Sequence, residues 1–127
     1  MTERQLISPA EAMMDRRVLR EFLELLGPEG PGVLRGIVEL YLKETPLVVE
    51  DLGDALASGE YAAAAGLAHR LKSSALSIGA NGLATRCAEL EAACHAEHAP
   101  TAAAYAAILA EFTSTRRALK GLLAELR

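Results

Sequence analysis

Residues 68–91 read AHRLKSSALSIGANGLATRCAELE. Alanine and leucine dominate both halves of this stretch, and β-branched and aromatic residues are sparse, which favours helix over strand. Gly79 separates the halves, and a glycine at such a place typically ends a helix because a positive φ costs it least. The stretch therefore predicts two helices joined by a tight turn, with His69 on the first and Glu91 on the second.

The same helix-favouring composition extends over the rest of the chain. Pro46 falls inside the longest predicted helix and is expected to kink it, because proline removes one hydrogen bond and clashes with the preceding turn. The short connections between four substantial helices predict an all-α fold, an antiparallel four-helix bundle preceded by one or two short N-terminal helices. The predicted helices are a short one starting at Ser8-Pro9, one capped by Asp15 that stops at Gly27-Pro28, and others at about 31–58, 60–78, 81–96 and from a Thr101 cap to the C-terminus.

Length and composition limit the possible classes of protein. The 127 residues are 51% apolar and 24% charged, as expected for one soluble domain. We predict one domain over residues 1–127, with a core bundle at about 31–127 and an N-terminal helical extension at about 8–27. The net charge of −4 and the 4% aromatic content argue against nucleic acid as a partner. Without a signal peptide or a long apolar run, we expect no membrane contact and a cytoplasmic location.

His69 lies on an unusually bare side of its predicted helix. At about 100° per residue, it falls roughly opposite the predicted core stripe, which consists of Ala64, Leu67, Ala68, Leu71, Ser74, Ala75 and Ile78. An ordinary solvated helix face carries many charged residues, whereas small residues surround His69. Gly66 costs a helix interior about 1 kcal/mol relative to alanine, so stability gives no reason for it. We predict that a partner docks on this side, at Ala62, Ala65, Gly66, Arg70 and Leu76.

Lys72 and Ser73 follow His69 by three and four residues, so both can reach the space around the imidazole. A cation beside a histidine favours the neutral, nucleophilic ring, and it would compensate the charge of a phosphoryl group. Ser73 adds a small hydroxyl without hiding the ring. The arrangement suits a histidine that is phosphorylated better than a general acid or base, because no substrate cleft is evident.

These residues resemble the motif of histidine-containing phosphotransfer (HPt) domains. The motif has an Ala-His pair, Leu and Lys two and three residues after the histidine, a small residue, then Gly, Leu, Cys and Leu-Glu. Here these are Ala68, His69, Leu71, Lys72, Ser73, Gly79, Leu83, Cys87, Leu90 and Glu91. The resemblance covers about residues 15–96. The residue after the lysine is commonly glycine in the family and is Ser73 here, which is still small enough to leave His69 accessible.

The resemblance implies a phosphorelay intermediate with no enzymatic activity and no ATP site of its own. His69 would accept a phosphoryl group from a response-regulator receiver aspartate and pass it to another receiver. Glu91 would accept the Nδ1 proton of His69 and so fix its tautomer. The implied partners are receiver domains and hybrid histidine kinases, and the receiver would supply Mg²⁺, so that no cofactor is bound by this chain. We expect a monomer, although apolar patches elsewhere would allow a dimer.

Two other classes of protein remain open from the sequence. A helical adaptor without phosphotransfer would bind receiver or kinase domains and would not need His69. A zinc-dependent bundle would use Cys94 and His98, which are spaced by one helical turn, with Cys87, Glu91 and His95 nearby. The sequence offers no second ligand pair to complete a tetrahedron, so we predict no metal site and two reduced, buried cysteines.

Overall fold

The computed structural model describes residues 14–96, 99–100 and 102–126. Five α-helices account for almost all of these residues, which confirms the predicted all-α class. None of the described helices is long and apolar enough to cross a membrane. The predicted short helix at Ser8-Pro9 and the predicted Thr101 cap lie outside the described residues. The helices are α1 (Arg16–Leu26), α2 (Gly30–Ala57), α3 (Tyr61–Ser77), α4 (Asn81–His95) and α5 (Ala102–Glu125), with a 3-10 turn at Gly27–Glu29.

The ends of α1 follow from local side-chain and backbone chemistry. The Asp15 side chain accepts a hydrogen bond from the backbone N–H of Arg17 at 3.1 Å, which satisfies a donor that the first turn leaves unpaired. Gly27, at φ 65°, ends the helix and donates its N–H to the carbonyl of Leu23. Both predicted ends of α1 are therefore confirmed.

The long helix α2 is continuous through Pro46. It begins at Gly30, directly after the 3-10 turn, and ends at Ala57, so its bounds agree with the predicted 31–58 to within one residue. The proline does not divide the helix in two. A kink at Pro46 stays a prediction.

The core lies between α2, α3, α4 and α5. The most extensive helix contact is between α3 and α4, followed by the contact of α3 with α2. The largest fully buried side chains come from all four helices: Leu34, Val38, Leu52, Leu71, Leu83, Cys87, Leu90, Ile108 and Leu119. Because α3 and α4 pack so closely, side chains at the edges of this contact can reach from one helix to the other.

The turn between α3 and α4 is fixed by the segment that leads into α1. The N–H of Asp15 donates to the carbonyl of Gly79 at 2.6 Å, and Met14 forms an isolated bridge with Ala80. Gly79 has φ 79°, and a Cβ on it would collide with the carbonyl oxygen of Asp15. Glycine is required here both for its positive φ and for the close approach of the other backbone.

A tyrosine fixes α5 against α2. The hydroxyl of Tyr105 donates to the backbone carbonyl of Val49 at 2.8 Å. It reaches this carbonyl over Gly53, where a Cβ would lie only 2.5 Å from the hydroxyl oxygen. Because Gly53 has no side chain, the Tyr105 hydroxyl has room to form the hydrogen bond that joins α5 to α2.

Candidate functional site

His69 lies on α3 with its ring against a carboxylate of α4. Its side chain is 60% exposed, and its Nδ1 lies 3.1 Å from Oε2 and 3.3 Å from Oε1 of Glu91. The Glu91 side chain is only 18% exposed. The close packing of α3 on α4 therefore brings together the two residues that the resemblance to HPt domains pairs, and it leaves the far side of the imidazole open.

Lys72 binds the same carboxylate. Its Nζ donates to Oε1 of Glu91 at 3.0 Å, so the ammonium is directed to Glu91 and not, as predicted, to the space over the imidazole. The hydrogen bond from Lys72 is the main reason why the pKa of Glu91 lies below its usual value. Burial opposes this effect, and the hydrogen bond with His69 lowers the pKa further. Glu91 is thus a carboxylate at neutral pH.

The ionised carboxylate determines which ring nitrogen is free. A carboxylate only accepts hydrogen bonds, so the nitrogen that faces Glu91 must carry the proton. In the neutral ring Nδ1 is then the donor, and the lone pair is on Nε2, which is directed away from Glu91. The contact therefore favours the tautomer in which the outward-facing nitrogen is nucleophilic.

His95 is a further neighbour of this carboxylate. It follows Glu91 by one turn of α4, is exposed, and places its Nε2 3.8 Å from Glu91 Oε2. This contact is not among the predictions made from the sequence, although the spacing of four residues between Glu91 and His95 is the pattern that indicates it. Glu91 is thus surrounded by His69, Lys72 and His95.

The surface around His69 is largely as the sequence predicts. Ser73 and four of the predicted docking residues are exposed: Ala62, Gly66, Arg70 and Leu76. A Cβ at Gly66 would meet no atom within 4 Å, so the packing of this chain does not require glycine there. The small residues leave the exposed imidazole accessible to a second protein.

The prediction that Ala65 is part of the docking surface is wrong. Its exposed fraction is only 3%. On the helix wheel Ala65 lies between His69 and Lys72, the two residues that reach Glu91, and this side of α3 is covered by α4. The buried arc of α3 is consequently wider on the α4 side than predicted, and His69 lies at its edge, not opposite its centre.

Within the part of the chain that the structure describes, no three His, Cys, Asp or Glu residues are arranged to hold a metal ion. Cys87 and Cys94 are unpaired and buried, and burial raises the pKa of the Cys87 thiol to about 12. His98, the second residue of the candidate zinc pair, lies outside the described residues.

The fold and the site together define a helical bundle in which an accessible histidine, His69, is held by a carboxylate on a surface of small residues. The family model of the Hpt domain matches residues 36–127, and the chain belongs to this family. Its members are histidine phosphotransfer carriers of two-component phosphorelays and interact with receiver and kinase domains. Comparison with curated proteins and with solved structures gives no match.

Proposed function

We propose that His69 accepts a phosphoryl group from the aspartyl phosphate of a receiver domain and passes it to the aspartate of a second receiver. The observation that carries this proposal is the contact of Nδ1 with the ionised Glu91, because it leaves an accessible, nucleophilic Nε2. In the first transfer the P–O bond to the receiver aspartate breaks and a P–N bond to Nε2 forms. The second transfer reverses these bond changes on another aspartate.

Glu91 would act in both transfers. With a proton on Nδ1 and a phosphoryl group on Nε2, the ring carries a positive charge, which a neighbouring carboxylate stabilises. Lys72 would hold Glu91 in place, so that the imidazole keeps its orientation without losing access to the partner. Ser73 would contribute a small polar side chain beside the ring.

The chain's share of the catalysis would be positioning. Phosphoryl transfer depends mainly on in-line geometry and on charge stabilisation, and a receiver brings its own acidic pocket and Mg²⁺. The chain would then need no cofactor and no ATP site, and the small residues around His69 would admit the receiver.

We further propose that the protein is cytoplasmic and that hybrid histidine kinases are among its partners. The four core helices would run antiparallel to their neighbours.

The direct test is transfer from a receiver domain that carries radiolabelled aspartyl phosphate, in the presence of Mg²⁺. We expect label on this chain that is lost in acid and kept in alkali, as for a phosphoramidate on histidine. Receivers from the same organism are assayed individually. Absence of label with every active receiver would contradict the proposal.

Glu91→Ala should slow transfer several-fold while leaving the fold intact. The substitution removes the acceptor for Nδ1 and the charge that stabilises the phosphorylated ring. The fold should survive, because the Glu91 side chain lies at the partly exposed edge of the α3–α4 contact. Glu91→Gln should fall in between, because the amide oxygen accepts a hydrogen bond without the charge. The initial rate of transfer is measured for both variants.

The matched control is Glu89→Ala. Glu89 is another glutamate of α4, exposed and paired with Arg86 at 2.9 Å, and it contacts no residue of the site. We expect its transfer rate to equal that of the wild type. An unchanged rate for Glu91→Ala would rule out the role assigned to Glu91.

Gly66→Arg should slow transfer about tenfold, equivalent to about 1.4 kcal/mol of lost docking energy, without lowering stability. The new side chain would stand in open space one turn before His69, where the receiver must approach. Replacing a helical glycine gains up to about 1 kcal/mol of helix propensity. Transfer kinetics are therefore measured together with urea unfolding.

Gly121→Arg is the control for this variant. Gly121 also lies inside a helix with open space around its Cβ position, but on α5 and away from His69. It should gain similar stability and keep the wild-type transfer rate. Equal rates for the two arginine variants would mean that the surface at Gly66 is not used for docking.

A further inference from the structure

Three neighbouring cations on α5 have no counter-charge. Arg116, Arg117 and Lys120 are exposed and line one surface depression together with Thr113. None of the three has an ion pair within the described residues, although the chain as a whole has a net charge of −4. Four cations elsewhere pair with carboxylates: Arg16, Arg17, Lys72 and Arg86. We call the three unpaired cations the basic end.

The basic end lies on the side of α5 that faces α2. The guanidinium carbon of Arg116 lies 5.7 Å from the centre of the Phe112 ring, and that ring packs edge-on against Tyr41 of α2. At about 100° per residue, Arg117 and Lys120 lie on the solvent side of Arg116. The three cations therefore extend from the contact of α5 with α2 outwards to the surface.

Two unpaired carboxylates lie on the same side of the bundle, further along it. Glu50 and Asp54 are exposed and directly follow Val49 and Gly53, the two residues of α2 that the Tyr105 hydroxyl reaches. Burial raises the pKa of Tyr105, and the charges of Asp54 and Glu50 raise it further. Neither carboxylate has an ion pair within the part of the chain that the structure describes. We call these two residues the acidic end.

The two ends belong to one surface, which we call the α2–α5 face. Twelve residues separate Tyr105, beside the acidic end, from Arg117, which is about 18 Å along an α-helix. Between the ends, α5 exposes three small or apolar residues: Ala106, Leu109 and Ala110. Glu39 and Lys43 of α2 are exposed as well, but their opposite charges cancel. The face therefore carries one sign of charge at each end and a nearly bare middle.

We propose that the α2–α5 face is a dimer interface, on which the basic end of one copy of this chain packs against the acidic end of a second copy. A two-fold axis through the middle of the face, near Leu109, forms this contact twice. A face with opposite charges at its two ends is complementary to itself after such a rotation. A second copy therefore supplies what each end lacks within the chain, a group of opposite charge.

The dimer leaves both phosphotransfer sites open. His69 lies on α3 and contacts Glu91 of α4, whereas the α2–α5 face is formed by the other two core helices. The inference therefore does not depend on the proposed function. It replaces the sequence-based expectation of a monomer.

Sedimentation equilibrium of the full chain at two salt concentrations tests the proposal. In about 20 mM NaCl we expect an equilibrium between 13.4 kDa and twice that mass, with a dissociation constant on the order of 100 μM, because exposed ion pairs are weak. In about 500 mM NaCl the dissociation constant should rise at least tenfold, since salt screens charges at the surface.

Reversing the charges of one end at a time identifies the partner. Arg117→Glu/Lys120→Glu alone should be monomeric, because its altered end meets the carboxylates of its own copies. Glu50→Lys/Asp54→Lys alone should be monomeric for the corresponding reason. An equimolar mixture of the two variants should dimerise, because both contacts of the mixed dimer then join opposite charges. Such recovery also shows that both variants are folded.

The matched control places the same reversal on α1. Glu21 and Glu24 are exposed, and Glu21→Lys/Glu24→Lys should dimerise like the wild type. A wild type that sediments at the mass of one chain at every concentration in low salt would overturn the proposal. So would a mixture of the two reversed variants that stays monomeric while the wild type dimerises, because the two ends would then not meet.

Discussion

His69→Gln should abolish phosphoryl transfer to the chain. Glutamine occupies a similar volume and can still donate a hydrogen bond towards Glu91, but its amide nitrogen is not nucleophilic and cannot carry the phosphoryl group. Because the His69 side chain is 60% exposed, its replacement removes little buried surface, and the helix should remain intact. The expected result is label at background level under conditions in which the wild type is fully labelled.

The controls for this experiment separate lost chemistry from lost structure. The far-ultraviolet circular dichroism spectrum of His69→Gln should match that of the wild type. Its free energy of unfolding in urea should agree with the wild-type value within about 0.5 kcal/mol, as for an exposed substitution. Ser77→Ala, two turns further along α3, should be labelled normally. Label that persists on His69→Gln would place the phosphoryl group elsewhere, and an unlabelled wild type that still binds receivers would indicate an adaptor.

Gly79→Ala should destabilise the protein by about 2–4 kcal/mol. An alanine at a positive φ costs roughly 1–2 kcal/mol, and the new Cβ would also collide with the carbonyl oxygen of Asp15. The neighbouring atom belongs to backbone and cannot rotate away. Relief requires that the Asp15–Gly79 hydrogen bond opens and that α1 moves away from the α3–α4 turn. Urea unfolding measures the loss of free energy.

Gly66→Ala is the matched control for the stability measurement. It makes the same chemical change in a helix interior with open space around the new methyl group, so helix propensity alone should raise the free energy of unfolding by up to about 1 kcal/mol. The two substitutions should thus have opposite signs. A Gly79→Ala protein as stable as the wild type would mean that α1 is not held against the turn.

Local sequence patterns predicted most of the fold. Caps such as Asp15, and glycines such as Gly27 and Gly79, mark helix ends through the chemistry of the backbone itself, and these ends agree with the structure. The Hpt match over residues 36–127 likewise bears out the resemblance carried by the motif around His69. Information of this kind is contained within a few consecutive residues and does not depend on how the helices pack.

The errors concern features that depend on packing between helices. A helix wheel for α3 gives one apolar stripe, but it does not tell how far α4 extends over the side of that stripe, and Ala65 was therefore assigned to the wrong surface. The direction of Lys72 has the same origin, because its partner Glu91 belongs to another helix. The contact of His95 with Glu91 is different, because both residues belong to α4 and their spacing of four residues is visible in the sequence.

The burial of both thiols has a consequence for the conditions under which the protein can work. Oxidation and disulfide exchange proceed through the thiolate, and a pKa of about 12 for Cys87 keeps its thiol protonated at neutral pH. Burial raises the pKa of Cys94 as well. Oxidants that inactivate proteins with exposed, ionised cysteines should therefore leave both thiols of this chain unchanged, and disulfide chemistry should not interfere with the reaction at His69.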